Sequence, residues 1–219
     1  MRLLVATTNV DKLREIRALL RHLPVDVLSL GDCAPVPEPE ETGATFAENA
    51  RLKALYYDAR VARPASIAHG ALFTVAEDSG LEIDALEGEP GVRSARFLRP
   101  DASYPERFLE IQRRLAARPS APRTARFVCA VAVVQAGVLV HETTGGVEGE
   151  IAPAARGNRG FGYDPIFYYP PYGRTLGETT DDEKARVAHR GQAFRELARW
   201  LGSASGRATG QPDPDSTTR

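Results

Sequence analysis

Lysine is nearly missing from this chain. Of 28 basic residues, only Lys12, Lys53 and Lys184 are lysine; arginine serves everywhere else. Against that bias a retained lysine marks a place that suits a compact ammonium rather than a planar fork, with chance survival on a solvated face as the alternative. Cysteine is equally sparse. Cys33 and Cys129 lie far apart and form no CxxC pair, which excludes a disulfide framework and a zinc knuckle and makes a reducing compartment the expectation. Long apolar runs are absent too. The opening stretch MRLLVATTNVDK is too short in its apolar part for a signal peptide, and no window approaches a membrane span, so the expected location is cytoplasmic, with no membrane partner. Net charge is −1, so no broad positive field favours nucleic acid, and an anionic ligand must be held by local groups. The chain carries no GxxxxGK[ST] phosphate loop, no GxSxG elbow and no HExxH metal motif.

What is present suits one large domain. At 219 residues and 42% hydrophobic content the chain can bury a substantial core. RLLVATTN reads as a short buried strand, Leu3 to Ala6, with Asn9 capping a helix whose apolar positions are Val10, Leu13, Ile16 and Leu20. A second strand is expected at Val25–Leu30. Thr45 to Glu48 form a capping box that opens a helix reaching about Ala62, with Leu52, Leu55, Tyr56 and Ala59 as its apolar stripe. ALFTVAEDSGLEIDAL predicts a strand, a turn around Asp78–Gly80 and a returning strand. Ser103 starts another helix with Phe108, Ile111 and Leu115 inward. Two long strands then turn at Ala136–Gly137. Thr180–Glu183 caps a short helix, and Ala193, Leu197, Trp200 and Leu201 line a last one. Helices interleaved with strands, some joined as hairpins, predict an α/β fold with mixed α+β character around a mixed sheet. Residues 1–201 are expected to form the domain and 202–219, small and polar, a disordered tail.

Four polar clusters carry candidate chemistry. In ATTNVDK, Thr7, Thr8 and Asn9 end a strand and Lys12 sits one turn into the next helix, an arrangement that can cradle an oxyanion or simply cap a helix. In EETGATFAENARLK, Asn49 and Lys53 share one helix face and Glu41 precedes them on a loop; an oxygen donor there can reach a hard cation beside phosphates, while a solvated face would look the same. In AEDSG, Glu77 and Asp78 close an apolar strand, and as neighbours on extended chain they point to opposite sides. Either holds Mg²⁺ or a water, or the segment is an Asx turn. In DDEKARVAHRG, Lys184, His189 and Arg190 can offer donors to carbonyl acceptors on a base, or decorate a surface. The loop RGNRGFGYDPIFYYPPYGRT concentrates glycines, prolines and aromatic rings, which suits either a flat ligand or a satellite core. Together the clusters read as the kit for a nucleoside phosphate with Mg²⁺.

ATTNVDKLREIRALL, EETGATFAENARLKA, AEDSGLEIDALEGEPGVRSARF, GFGYDPIF and EKARVAHRGQAF occur in that order, and together they resemble the inosine/xanthosine triphosphate pyrophosphatase family over residues 2 to about 201. The resemblance implies an elongated, two-lobed domain around a curved mixed sheet with flanking helices, and a homodimer. It implies a Mg²⁺-dependent hydrolase that cuts ITP, dITP and XTP between the α- and β-phosphates, releasing pyrophosphate. Carried residue by residue, Thr7, Thr8, Asn9, Val10, Asp11 and Lys12 would hold the triphosphate with Lys53, and Asn49 would join them. Glu41 and Asp78 would bind metal, with Asp78 also the candidate proton acceptor. Ser79 would touch substrate. Phe161, Gly162, Tyr163 and Asp164 would shape the base pocket, completed by Lys184, His189 and Arg190, with the purine stacked on Phe161.

Three positions depart from the family pattern. Arg174 stands where lysine is frequent, Ala188 where serine is common, and RPASIAHGALFTV before AEDSG is longer than usual. None touches Glu41 or Asp78. Two rival readings remain at this level: a pyrophosphatase of the septum-inhibitor type acting on pyrimidine or modified nucleotides, and a non-catalytic nucleotide sensor.

Overall fold

The computed structural model describes residues 1–61 and 72–208. Among these residues seven strands form one sheet: β1 (Arg2–Val5), β2 (Asp26–Ser29), β3 (Leu72–Ile83), β4 (Thr124–Gln135), β5 (Val138–Ile151), β6 (Phe167–Tyr169) and β7 (Arg174–Thr175). Their spatial order is β2-β1-β3-β4-β5-β6-β7. β1 runs parallel to β2 and β3, and every later pairing is antiparallel, so the sheet is mixed, as the alternation of helices and hairpins implied. Among the described residues five α-helices flank it: α1 (Val10–Leu20), α2 (Phe46–Arg60), α3 (Tyr104–Ala116), α4 (Asp181–Val187) and α5 (His189–Ala208).

The start signals act where the sequence put them. The Asn9 side chain accepts from the backbone N–H groups of Asp11 and Lys12, and Thr45, Ser103 and Thr180 each close a capping box, satisfying donors that a helix's first turn leaves free. Ala136 and Gly137 both take positive φ, 50° and 79°, which matches the twist of a two-residue hairpin between β4 and β5.

Four expectations need correction. No turn interrupts AEDSG: β3 is one strand of 12 residues, paired with β4 in unbroken register from Thr74↔Val134 to Ile83↔Ala125. Asp-Ser-Gly has turn chemistry, but ten consecutive cross-strand pairs outweigh it. On α2 the buried positions are Phe46, Asn49, Ala50, Ala54 and Tyr57, while Leu55 is 40% exposed, so the helix is rotated from the expected stripe. Val10 is likewise exposed, at 75%. At the C-terminus α5 continues to Ala208, past Gly202 and into the segment expected as a tail; residues 209–219 lie outside the described residues, as does most of the lengthened RPASIAHGALFTV stretch.

The long strand β3 explains the two lobes. Its first half is covered on both faces. Phe73 and Val75 pack with Ile16 and Leu20 of α1 and Phe194 and Leu197 of α5, while Leu72 and Ala76 pack with Phe46, Ala50 and Tyr57 of α2. Its second half, Leu81 and Ile83, enters a separate core with Ile111 and Leu115 of α3, Phe127, Tyr163, Ile166 and Phe167. Between the two halves lie Glu77, Asp78 and Ser79, where apolar packing changes over. Gly145 on β5 shows how tightly α5 is drawn onto the sheet: a Cβ there would collide with the backbone of His189 and lie 2.6 Å from the Ala193 nitrogen.

Candidate active site

Alternation along β3 sends Glu77 toward α1 and α5 and Asp78 toward α2. Glu77, 4% exposed, meets Lys12 Nζ at 3.2 Å and Arg190 Nε and Nη2 at 3.2 and 3.1 Å, all on Oε1. The Cys129 thiol donates to its other oxygen at 3.2 Å. Burial disfavours this carboxylate, but Arg190 and Lys12 hold its pKa well below the usual range. The same burial beside Glu77 pushes the Cys129 thiol far up, so Cys129 is a donor here and no nucleophile.

On the opposite face Asp78 accepts from Lys53 Nζ at 2.9 Å and from Asn49 Nδ2 at 3.2 Å. Asn49 is fully buried, and its Oδ1 accepts the Gly43 N–H at 2.8 Å; the polar face of α2 is thus turned inward, and a solvated face is excluded. Lys53 also pairs with Glu41, which pairs in turn with Arg96. Burial raises the Asp78 pKa, with Lys53 and Lys12 opposing. Glu41 is pulled down, because Lys53 and Arg96 outweigh its burial, and Lys53 is kept charged by Asp78 and Glu41 despite burial.

A third group sits between α1, α4, α5 and the aromatic loop. Glu15 of α1 accepts from Lys184 Nζ at 2.8 Å and Arg190 Nη1 at 2.6 Å, and Lys184 also donates to Asp164 at 2.6 Å. Lys184 stays protonated because Asp164 and Glu15 overcome its burial. The Lys184 ammonium lies 4.6 Å and the Arg190 guanidinium 5.4 Å from the Phe161 ring centroid, within cation–π range. Arg190 Nη2 donates to Ser79 Oγ at 3.0 Å, so Arg190 spends all but one Nη1 N–H of its five donors on protein oxygens. His189 stacks on Phe127 at 4.9 Å, and its Nδ1 is buried with no hydrogen-bond partner among the described residues. Burial, then Arg190 and Lys184, hold its pKa well below 6.5. It is buried, not surface decoration.

One cleft gathers these groups. Asn9, Lys12, Glu41, Lys53, Asp78 and Ser79 line one part; Phe161, Gly162, Tyr163, Asp164, Lys184, His189 and Arg190 line the other. Thr7, Thr8, Val10 and Asp11 do not line it. Thr7 accepts the Asn9 N–H at 3.2 Å, Thr8 and Val10 are exposed, and Asp11 pairs with Arg14 at 3.1 Å. Asn49 acts behind Asp78. Glu15, Arg96 and Tyr104 were missed by sequence reasoning; only Glu15 left a signal, being one turn beyond Lys12 on α1.

The aromatic loop divides its work. Tyr163 and Phe167 are core residues, Tyr163 donating to the Ser94 carbonyl at 2.9 Å, and Tyr169 and Tyr172 pack edge to face. Of these rings Phe161 and Tyr163 line the cleft, and Phe161 is the one that lies under the Lys184 and Arg190 cations. Gly160, at φ 68°, leaves room for the Asp164 carboxylate, which accepts the Phe161 N–H at 2.8 Å. That glycine serves the loop's own fold and not a ligand's approach. Arg174 pairs with Glu183 at 2.6 Å and lies outside the cleft. Ala188 is buried at the α4–α5 junction, its N–H on the Lys184 carbonyl.

Among the described residues no three His, Cys, Asp or Glu side chains stand close enough to hold a metal ion unaided. Glu41 and Asp78 are instead two carboxylates bridged by one lysine. Mg²⁺ favours one or two carboxylates with phosphate oxygens and water, so this pair fits a cation that arrives with a phosphate chain.

Cations and carboxylates in alternation, with an aromatic face at one end, define a protein that handles a ring-bearing polyanion. The chain belongs to the Ham1 family, whose model matches residues 3–200. A dITP/XTP pyrophosphatase of Exiguobacterium sibiricum is 43% identical over 197 residues, covering 90% of this chain and 95% of its own. Another dITP/XTP pyrophosphatase, from Geobacillus kaustophilus, is 42% identical over 195 residues, 89% and 91% of the two chains. The solved structure of a HAM1 protein from Coxiella burnetii aligns with a TM-score of 0.81 at 37% identity, covering 93% of this chain and 99% of that one.

Proposed function

We propose that this protein hydrolyses non-standard purine nucleoside triphosphates, ITP, dITP and XTP, to the monophosphate and pyrophosphate. The supporting observation is the single cleft that joins an aromatic face, Phe161, to the Asp78–Lys53–Glu41 chain. Relatives named dITP/XTP pyrophosphatase favour this purine reading over a pyrimidine one.

In this reading the base lies at Phe161, Lys184, His189 and Arg190, and the phosphates run past Lys12, Asp78 and Lys53. Water attacks the α-phosphorus, the bond to the bridging oxygen breaks, pyrophosphate leaves, and Asp78 takes the water's proton. A carboxylate whose pKa is raised is a better base than an ordinary aspartate. Lys12 and Lys53 offset charge growing on the phosphate oxygens. Glu41 and Asp78 would hold Mg²⁺, which supplies charge neutralisation and a more acidic bound water. A 6-oxo group needs donors; His189 and Arg190, which line the base end of the cleft, would supply them, while adenine's amino group would leave them unmatched. A homodimer and a cytoplasmic location belong to the same reading.

The test is product analysis with Mg²⁺ across ITP, XTP, GTP and ATP. Pyrophosphate from ITP and XTP with much slower turnover of ATP is expected. Stepwise orthophosphate rejects the cleavage site, and tight ITP binding without turnover identifies a sensor.

A further inference from the structure

We propose that Arg96 is a phosphate-binding residue that grips the terminal phosphates of the substrate and hence the departing pyrophosphate. This rests on the triphosphate reading above. A ladder of contacts runs from the cleft into the depression beside it, where Glu41 lines both and Arg96 lines the second. Phe161 lies under Arg190; Arg190 and Lys12 meet on Glu77; Lys53 lies 3.5 Å from the Glu77 carbonyl and 2.9 Å from Asp78; Lys53 meets Glu41; and Glu41 meets Arg96. A nucleoside triphosphate is ordered as base, sugar, then α-, β- and γ-phosphate. With the base at Phe161, the rung farthest from it faces the terminal phosphates, and that rung is Arg96.

The residue is presented as a ligand-binding group should be. It ends a 3₁₀ turn, Gly91–Arg96, that is clamped from several sides. Ser94 Oγ donates to the Gly91 carbonyl at 2.6 Å and accepts the Leu81 N–H of β3 at 2.9 Å, and the Ser94 carbonyl accepts from Tyr163 and Arg107. Phe97, the next residue, is buried. The side chain is 39% exposed, and Glu41 is the guanidinium's hydrogen-bond partner among the described residues, which leaves most of its donor fork without a protein partner there. Glu38, Glu40 and Glu41 share the wall of the depression beside it. Arg96 is the cation there that offsets three glutamates for an incoming phosphate, and a phosphate oxygen can replace the Glu41 contact with bidentate geometry.

The experiment measures binding of inorganic pyrophosphate and of inosine monophosphate, each with Mg²⁺, by titration calorimetry to wild type, Arg96→Ala and Arg96→Lys. Thermal melting verifies that the variants fold, as expected for a half-exposed side chain. Pyrophosphate should bind Arg96→Ala about tenfold or more weakly and Arg96→Lys at an intermediate level, with monophosphate affinity within about twofold of wild type. Unchanged pyrophosphate affinity overturns the assignment, and so does equal weakening of both ligands, which would mean that Arg96 only shapes the cleft. Wild type that binds pyrophosphate yet releases orthophosphate from ITP would reject the hydrolysis reading while leaving the Arg96 result to be judged by the same comparison.

Discussion

Lys53 reaches from α2 to Asp78 in the middle of β3, 2.9 Å from Oδ1, and holds Glu41 with the same ammonium. Two carboxylates, Asp78 buried and Glu41 half-buried, share one ammonium there because the lysine stands between them. Replacing Asp78 by Asn keeps the volume and the Asn49 contact but removes the proton acceptor. Turnover of ITP should fall by about a hundredfold or more, with the melting temperature within a few degrees of wild type. Near-full activity in Asp78→Asn would refute its role.

Removing the ammonium also changes the pH profile. Burial raises the Asp78 pKa and Lys53 opposes it, so in Lys53→Met the carboxylate should titrate higher still. The acid limb of kcat/KM for ITP is expected to move to higher pH in the variant. A limb that stays in place, or moves down, would show that another group controls it.

His189 predicts an acid-sensitive fold. Its folded pKa lies well below 6.5, through burial and then the nearby Arg190 and Lys184. As pH falls below about 6.5 the unfolded chain takes up a proton that the folded protein refuses, so stability declines with a limiting slope of about 1.4 kcal/mol per pH unit for this group. His189→Phe, whose ring can still stack on Phe127, should lose less stability than wild type between pH 7.5 and 5.5. Urea midpoints at the two pH values test this; parallel losses would exclude His189 as the source.

Gly145 holds α5 against β5. Any side chain there meets the His189 and Ala193 backbone, and backbone cannot swing aside as a flexible side chain can. Gly145→Ala is expected to cost about 1–3 kcal/mol, read as a lower urea midpoint. A variant as stable as wild type would show that the helix can lift freely.

Legibility differed from element to element. The caps at Asn9, Thr45, Ser103 and Thr180 and the hairpin turn at Ala136–Gly137 were readable because their chemistry is local, each involving residues two to four apart. AEDSG was misread as a turn because its partner strand begins at Thr124, far along the chain. The α2 stripe was misjudged because Leu52 and Leu55 outrank Ala50 and Ala54 in hydrophobicity, although the small alanines are what let the helix lie close to the sheet.

The site shows the same division. Lys12, Glu41, Lys53, Asp78, Phe161, Lys184 and Arg190 were chosen from sequence and line one cleft, whereas Thr7, Thr8, Val10 and Asp11 do not. Glu15 and Arg96 were not singled out, since an acid on a helix and an arginine in a turn look ordinary until their partners are known. The sequence by itself determined which chemical groups the protein owns and where helices start, because side-chain chemistry and capping act over a few residues. Only the tertiary structure decided which carboxylate meets which cation, because the alternation of β3 and the rotation of α2 are set by packing against strands and helices distant in the chain.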